Sequence, residues 1–147
     1  MPSAQRTITI DRPPDLVYAF FTNHANDPTW RPSIVEIEPI SGAPVGKRIH
    51  QIIKGPGGRG LGADIEITAN EPSARYSFQV VAGPVRPCGD FRFSTAGAGT
   101  EVRFSLAADL SGLKKLLMSG AVQRSMDGEM AGLDTAKRVI RAPDDAT

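Results

Sequence analysis

The chain has 147 residues, 40% of them hydrophobic and 22% charged, the length and make-up of one folded domain, which excludes disorder, coiled coil and collagen. Lys plus Arg (17) almost balance Asp plus Glu (16), and no basic run gathers the net +1 into a stripe, which argues against a nucleic-acid or anionic-membrane binder. Apolar runs stay far below the roughly 18 residues needed to span a bilayer, no apolar leader follows Met1, and the single cysteine, Cys88, cannot close an internal disulfide. A cytoplasmic protein without membrane insertion is therefore expected, and 15 glycines and 12 prolines point to many turns, hence to strands.

Residues 6–11, RTITID, alternate Ile8 and Ile10 with threonines, the period of a half-buried strand. In DRPPDLVYAFF two prolines precede Leu16, Val17, Phe20 and Phe21, a start signal and an apolar stripe that predict a helix of two or three turns ending near Asn23. NHANDPTWRP carries Pro28 and Pro32 around Trp30 and predicts a second, short helical turn. From residue 33 on, SIVEIEPI, GKRIHQIIKG, GLGADIEITANE, SARYSFQVVAG, RPCGDFRFST and TEVRFSLAADL each read as a strand. The links between them are turn vocabulary, so six strands join the first in an antiparallel meander. Residues 111–141 read as helix. Its apolar stripe changes sides near Ser119–Gly120, which predicts a break or kink there, and Ala142–Pro143 ends it before a frayed tail, 142–147.

Strand parity separates an apolar set, Ile8, Ile10, Val35, Ile37, Ile65, Ile67, Tyr76, Phe78, Val80, Phe91, Phe93, Val102, Phe104 and Leu106, from a charged set that includes Glu36, Glu38, Asp64, Glu66, Asp90, Arg92, Glu101 and Arg103. A sheet with one apolar face must cover it, and the C-terminal helix is the only element large enough. The expected fold is α+β: a curved seven-stranded antiparallel sheet wrapped around a long C-terminal helix, with two short helices after strand one, in a single domain whose core runs from about residue 5 to 141.

In this order of elements, ITIDRPPDLVYAFFTN, DPTWRP at residues 27–32 and FRFSTAGAGTEVRFSLAADLSGLKKLL together resemble the helix-grip fold of the START and polyketide-cyclase/dehydrase-like superfamily, SRPBCC. The resemblance implies a cavity between sheet and helix. Topology puts GPGGRG (55–60), AGPVRP (82–87) and DLSGL (109–113) at one end of the sheet, which the resemblance makes the cavity mouth.

Each candidate for chemistry has a plain alternative. GPGGRG matches the dinucleotide fingerprint in form, but a strand follows it rather than a helix, so a hairpin tip or lid is the better reading. His24 and His50 lie at no metal-ligand spacing from each other or from Cys88, so no metal site is expected. His24 is expected to cap or pack at the end of the first helix. His50 and Gln51 compete for the cavity face of their strand. Asp64 and Glu66 could pair as acid and base, but their parity is that of the solvent face, and Cys88 has no partner base in the pattern and reads as passive. Tyr76, on the apolar parity, needs a buried partner or a ligand for its hydroxyl. Arg86 is either a mouth-side anchor for a ligand carboxylate or an exposed loop residue. The pocket candidates are Trp30, Gln51, Ile65, Ile67, Tyr76, Phe78, Arg86, Phe91, Phe93, Phe104, Met126 and Met130. The methionine pair suits a ligand of loose shape, or simply fills core.

The expected function is binding of a hydrophobic small molecule, a lipid, polyketide or aromatic metabolite, by a monomer or homodimer with no cofactor. The superfamily suggests two alternatives: an aromatase/cyclase-type enzyme, which requires at least two polar side chains converging in the cavity, and an interaction module whose cavity is filled by side chains.

Overall fold

The computed structural model describes residues 3–39, 45–54, 59–83, 85–108 and 112–141, with side chains for all of these except 39, 112–119 and 141. The GPGG part of the supposed lid, Pro84, residues 109–111 and the tail 142–147 lie outside them. In chain order the elements are β1 (Ser3–Ile10), α1 (Pro14–Thr22), a 3₁₀ turn (His24–Asn26), α2 (Asp27–Trp30), β2 (Ile34–Pro39), β3 (Arg48–Lys54), β4 (Gly60–Gly62), β5 (Ile65–Glu71), β6 (Arg75–Val80), β7 (Cys88–Ala96), β8 (Gly99–Ala107) and α3 (Gly112–Arg141).

The strands form one antiparallel sheet in the order β1-β8-β7-β6-β5-β3-β2, a seven-strand path with β4 attached to β3 alone. GLGADIEITANE is therefore two strands, not one. The outer half of β3 pairs with β4 (Ile52 with Gly62) and its inner half with β5 (Ile49 with Ile65), so the chain must bend at Ala63–Asp64 to serve both. The Ala63 amide donates to the Gln51 carbonyl at 2.9 Å, and the Asp64 carbonyl accepts from the Val81 amide at 2.8 Å, so the bend leaves these groups paired.

Parity decides the core, as the pattern predicts, with one correction. Val35 is 55% exposed. Between Ile34 and Glu36 the register slips against β3, so Val35 is the unpaired residue of a bulge and turns outward. Ile8, Ile10, Ile65, Ile67, Tyr76, Phe91, Phe93, Val102, Phe104 and Leu106 are buried against Val122, Met126, Met130, Leu133, Ala136 and Ile140 of α3. That helix runs through Ser119–Gly120 as one element, against the expected break there. One exposed glycine inside a helix costs about 1 kcal/mol, too little to interrupt a helix whose following five turns are packed on the sheet.

Two further devices seat α3. Gly132 is buried, and a Cβ there would lie 2.5 Å from the Trp30 carbonyl oxygen, so the missing side chain is what lets α3 lie directly on α2. At the edge strand, the Gln123 amide pairs reciprocally with the Ser3 backbone (2.6 and 3.1 Å), and Arg6 donates to the Met130 carbonyl (3.2 Å) and to Asp134 (2.5 Å). The exposed N–H and C=O groups of β1 are thus partly covered by helix side chains.

Candidate ligand cavity

Ser3 pairs with Ala107, Ala107 with Cys88, Cys88 with Gln79, and Val80 with Ile65. These positions mark one end of the sheet, the end of the β6–β7 link. Near it a cavity of about 130 Å³ lies between sheet and helix. Phe21, Trp30, Phe91 and Phe104 form its aromatic wall. The Phe91 and Phe104 rings stack at 4.1 Å, and Trp30 stands edge-on to Phe21 at 5.3 Å. Val85 and Pro87 of the link and Val122 and Met126 of α3 complete the apolar lining. The link is held at backbone level: Gly83 takes a φ of 96°, and a Cβ there would lie 2.5 Å from the Gly62 carbonyl oxygen.

Of the residues that the sequence suggests for a pocket, Trp30, Gln51, Ile65, Tyr76, Phe78, Phe91, Phe104 and Met126 line this cavity. Ile67, Phe93 and Met130 lie in the closed core beyond it, where Phe21 fills the space between helix and sheet. Arg86 is exposed and donates to the Gly83 carbonyl at 3.3 Å, and its neighbours Val85 and Pro87 line the cavity instead. Gln51 wins the face that His50 contested. Gln51 is 4% exposed, while His50 lies on the other face between Asp64 (2.7 Å) and Glu36 (3.5 Å).

One wall is polar, and most of it is invisible to a search for apolar faces. His24, Asp27, Arg31 and Glu129 line the cavity beside Gln51 and Tyr76. The Tyr76 hydroxyl lies 2.8 Å from His24 Nε2, and His24 Nδ1 lies 3.0 Å from Asp27 Oδ2. A carboxylate can only accept, so Nδ1 carries a proton, and a neutral imidazole then accepts the Tyr76 hydroxyl proton at Nε2. His24 is therefore not merely a helix-end packing residue, since it joins α2 to β6. Burial, together with the charge of Asp27 and the Tyr18 hydroxyl, pushes the Tyr76 phenol up from its ordinary range and keeps it protonated.

Arg31 is the hub. Its Nη1 donates to Asp27 Oδ2 (3.0 Å) and Gln51 Oε1 (3.1 Å), and Nε and Nη2 grip Glu129 as a fork (2.8 and 3.1 Å). Burial works against this guanidinium's charge, but Glu129 and Asp27 outweigh it and raise its pKa further. Ser33 Oγ donates to the same Glu129 at 2.9 Å. Two buried polar atoms on the lining residues stay without a partner, Asp27 Oδ1 and Trp30 Nε1.

A signal for Glu129 was present in the sequence. Positions 122, 126, 133, 136 and 140 form an apolar helical stripe, and 129 is the one charged residue in step with it. Asp27 and Arg31 flank Trp30 in the DPTWRP motif at i, i+4 spacing, where an ion pair can form on a single turn.

Among the described residues no group of His, Cys, Asp and Glu could hold a metal ion, and no helix is long and apolar enough to cross a membrane. Solved structures share the fold at low identity. The chain is similar to TTHA0849 of Thermus thermophilus (TM-score 0.80, 19% identity, 96% of this chain and 98% of that one). It is also similar to a START superfamily protein of Mycobacterium smegmatis (0.73, 10%, 94% and 98%), and to the ZhuI aromatase/cyclase of Streptomyces sp. R1128 (0.68, 13%, 93% and 94%). No curated protein matches the chain. The family described as "polyketide cyclase / dehydrase and lipid transport" matches residues 1–137, nearly the whole length, and the chain belongs to that family.

Proposed function

We propose that this protein binds a hydrophobic small molecule in the cavity between α3 and the sheet. The observation that carries the reading is the cavity itself: about 130 Å³ of space between α3 and the sheet, walled largely by aromatic and aliphatic side chains, with Val85 and Pro87 of the β6–β7 link in its lining. An engineered apolar cavity of roughly 150 Å³ takes up benzene, so the enclosed part suits one ring, with the rest of a longer ligand leaving through the mouth. Family membership supports the same reading, as does the methionine on the helix wall. We place the protein in the cytoplasm on the strength of its single exposed thiol, and propose that it acts as a monomer or homodimer.

Native mass spectrometry of the freshly purified protein, followed by titration with the neutral dye N-phenyl-1-naphthylamine, tests this. A co-purified small molecule, or dye binding abolished by Met126→Trp, supports the cavity. A ligand-free protein whose dye signal is untouched by Met126→Trp overturns it.

The polar wall favours a second reading, an aromatase/cyclase-type enzyme. Such a reaction needs at least two polar groups facing one cavity, and Tyr76 with His24 and Asp27 is an ordered proton path of that kind. Turnover of a poly-ketone that is lost in Tyr76→Phe, with dye binding intact, would favour the enzyme over the carrier.

A further inference from the structure

The polar wall holds two carboxylates and one guanidinium. Asp27, Arg31 and Glu129 have side chains only 3%, 14% and 13% exposed, so solvent screens them weakly. With a neutral His24 the wall carries one net negative charge, and with a protonated His24 it carries none. In neither state does it offer a spare cation. The four side-chain hydrogen bonds of Arg31 go to Asp27, Glu129 and Gln51, and no other arginine or lysine lines the cavity among the described residues. Arg86, the one sequence candidate for an anion anchor, lies outside it.

What the wall lacks is as informative as what it holds. Asp27 Oδ1 is a carboxylate oxygen without a donor, and Trp30 Nε1 is an N–H without an acceptor, on residues 2% and 3% exposed and one turn apart on α2. Buried polar atoms of this kind are rare in folded proteins, and each calls for an explanation. In donor and acceptor capacity a hydroxyl matches both demands, having a proton for a carboxylate and lone pairs for an indole N–H. A carboxylate can meet only the second, and brings a like charge to Asp27 in a low-dielectric recess. A pure hydrocarbon meets neither.

We propose that the cavity selects ligands whose buried end is a neutral hydroxyl, of the phenol or alcohol type, and discriminates against carboxylates of the same shape. This rests on the cavity being a binding site and sharpens which ligands enter it. Tyr76, kept in its protonated form by burial, adds no charge that would reverse the selection.

Four probes of one shape test it by isothermal titration calorimetry: 4-propylphenol, 4-propylbenzoate, 4-propylanisole and propylbenzene. At about pH 7.5 the phenol is neutral and the benzoate ionised. The expected result is that the phenol binds at least about tenfold more tightly than the benzoate and more tightly than the anisole, which keeps the oxygen but lacks the proton to donate. In Glu129→Gln, which removes one buried charge without changing volume, the gap between phenol and benzoate should narrow about threefold or more. Propylbenzene should bind the wild type, which shows that the cavity takes up an apolar ring whatever the outcome for the polar probes. Benzoate equal to or tighter than phenol in the wild type overturns the selectivity and leaves the cavity reading standing. An anisole as tight as the phenol likewise overturns the donated hydrogen bond. Failure of all four to bind, propylbenzene included, overturns both.

Discussion

Arg31 and Glu129, 98 residues apart in sequence, meet as a two-pronged ion pair at 2.8 and 3.1 Å, and through it the segment after α2 is tied to the middle of α3. Replacing Arg31 by methionine leaves Asp27 and Glu129 buried with no cation between them. The expected loss is about 3–5 kcal/mol, the range for breaking one side of a buried pair. Adding Glu129→Leu to Arg31→Met should recover part of that loss, because the stranded charge goes with it. Urea unfolding of the two single variants and the double variant checks both statements, and a double variant weaker than Arg31→Met alone would contradict them.

Tyr76 should set the alkaline limit of stability. Its pKa is raised by burial first, then by Asp27 and Tyr18. The folded chain therefore keeps a proton that the unfolded chain gives up above the ordinary phenol range near 10. By linkage its contribution is present below that range and declines as pH rises through and beyond it. Tyr76→Phe should make the decline above about pH 10 shallower, while costing about 1–3 kcal/mol at neutral pH because His24 Nε2 loses its partner. Urea midpoints measured from neutral to strongly alkaline pH separate the two effects.

Two glycines of α3 should respond to alanine with opposite signs. Gly128 is exposed and a Cβ there meets nothing within 4 Å, so Gly128→Ala should gain about 1 kcal/mol of helix propensity. At Gly132 the same propensity gain is overridden. The Cβ would lie 2.5 Å from the Trp30 carbonyl oxygen and 3.3 Å from its ring, so α3 must lift from α2, at a cost of about 1–3 kcal/mol. Thermal melts of the pair decide this, and equal shifts of one sign would contradict the close helix contact.

On the outer face, Asp90 should govern part of the acid limb. Burial alone would raise its pKa, but hydrogen bonds from Ser77, Arg92 and Arg75 prevail and hold the carboxyl below its ordinary range. A depressed carboxyl contributes stability above the unfolded-state value, and that contribution disappears as pH falls through the folded-state value. Asp90→Asn should therefore flatten the pH dependence of stability below about pH 4 and leave the alkaline side unchanged. Denaturant midpoints across the acid range provide the check.

The sheet was legible because its signal is local and repeated. Ile8 and Ile10, Tyr76 to Val80, and Phe91 and Phe93 each declare a buried face within a few residues, and α3 declares its own from Val122 to Ile140. Where a single residue breaks the alternation, as the bulge does at Val35, parity misassigns the side chain, since the slip depends on the partner strand. The polar wall was far less legible. Asp27 and Arg31 sit in a turn too short for any periodicity, and their partners Gln51, Tyr76 and Glu129 come from three distant elements. Charged residues read one at a time look like solvent-facing residues. Only their convergence makes Arg31 a buried hub, and convergence is a property of the fold.

The chain of contacts from Tyr76 through His24, Asp27 and Arg31 to Glu129 touches β6, the 3₁₀ turn, α2 and α3 in succession. The groups best placed to read a ligand's polar end are thus the same groups that fasten the helix to the sheet. Lineages descended from this sequence would find new ligands most readily at the β6–β7 link, around Val85 and Pro87, which line the cavity but take no part in the polar chain. Redrawing the inner wall would loosen the frame that makes a pocket possible, so drift in what is bound should begin at the rim and reach the inner wall last.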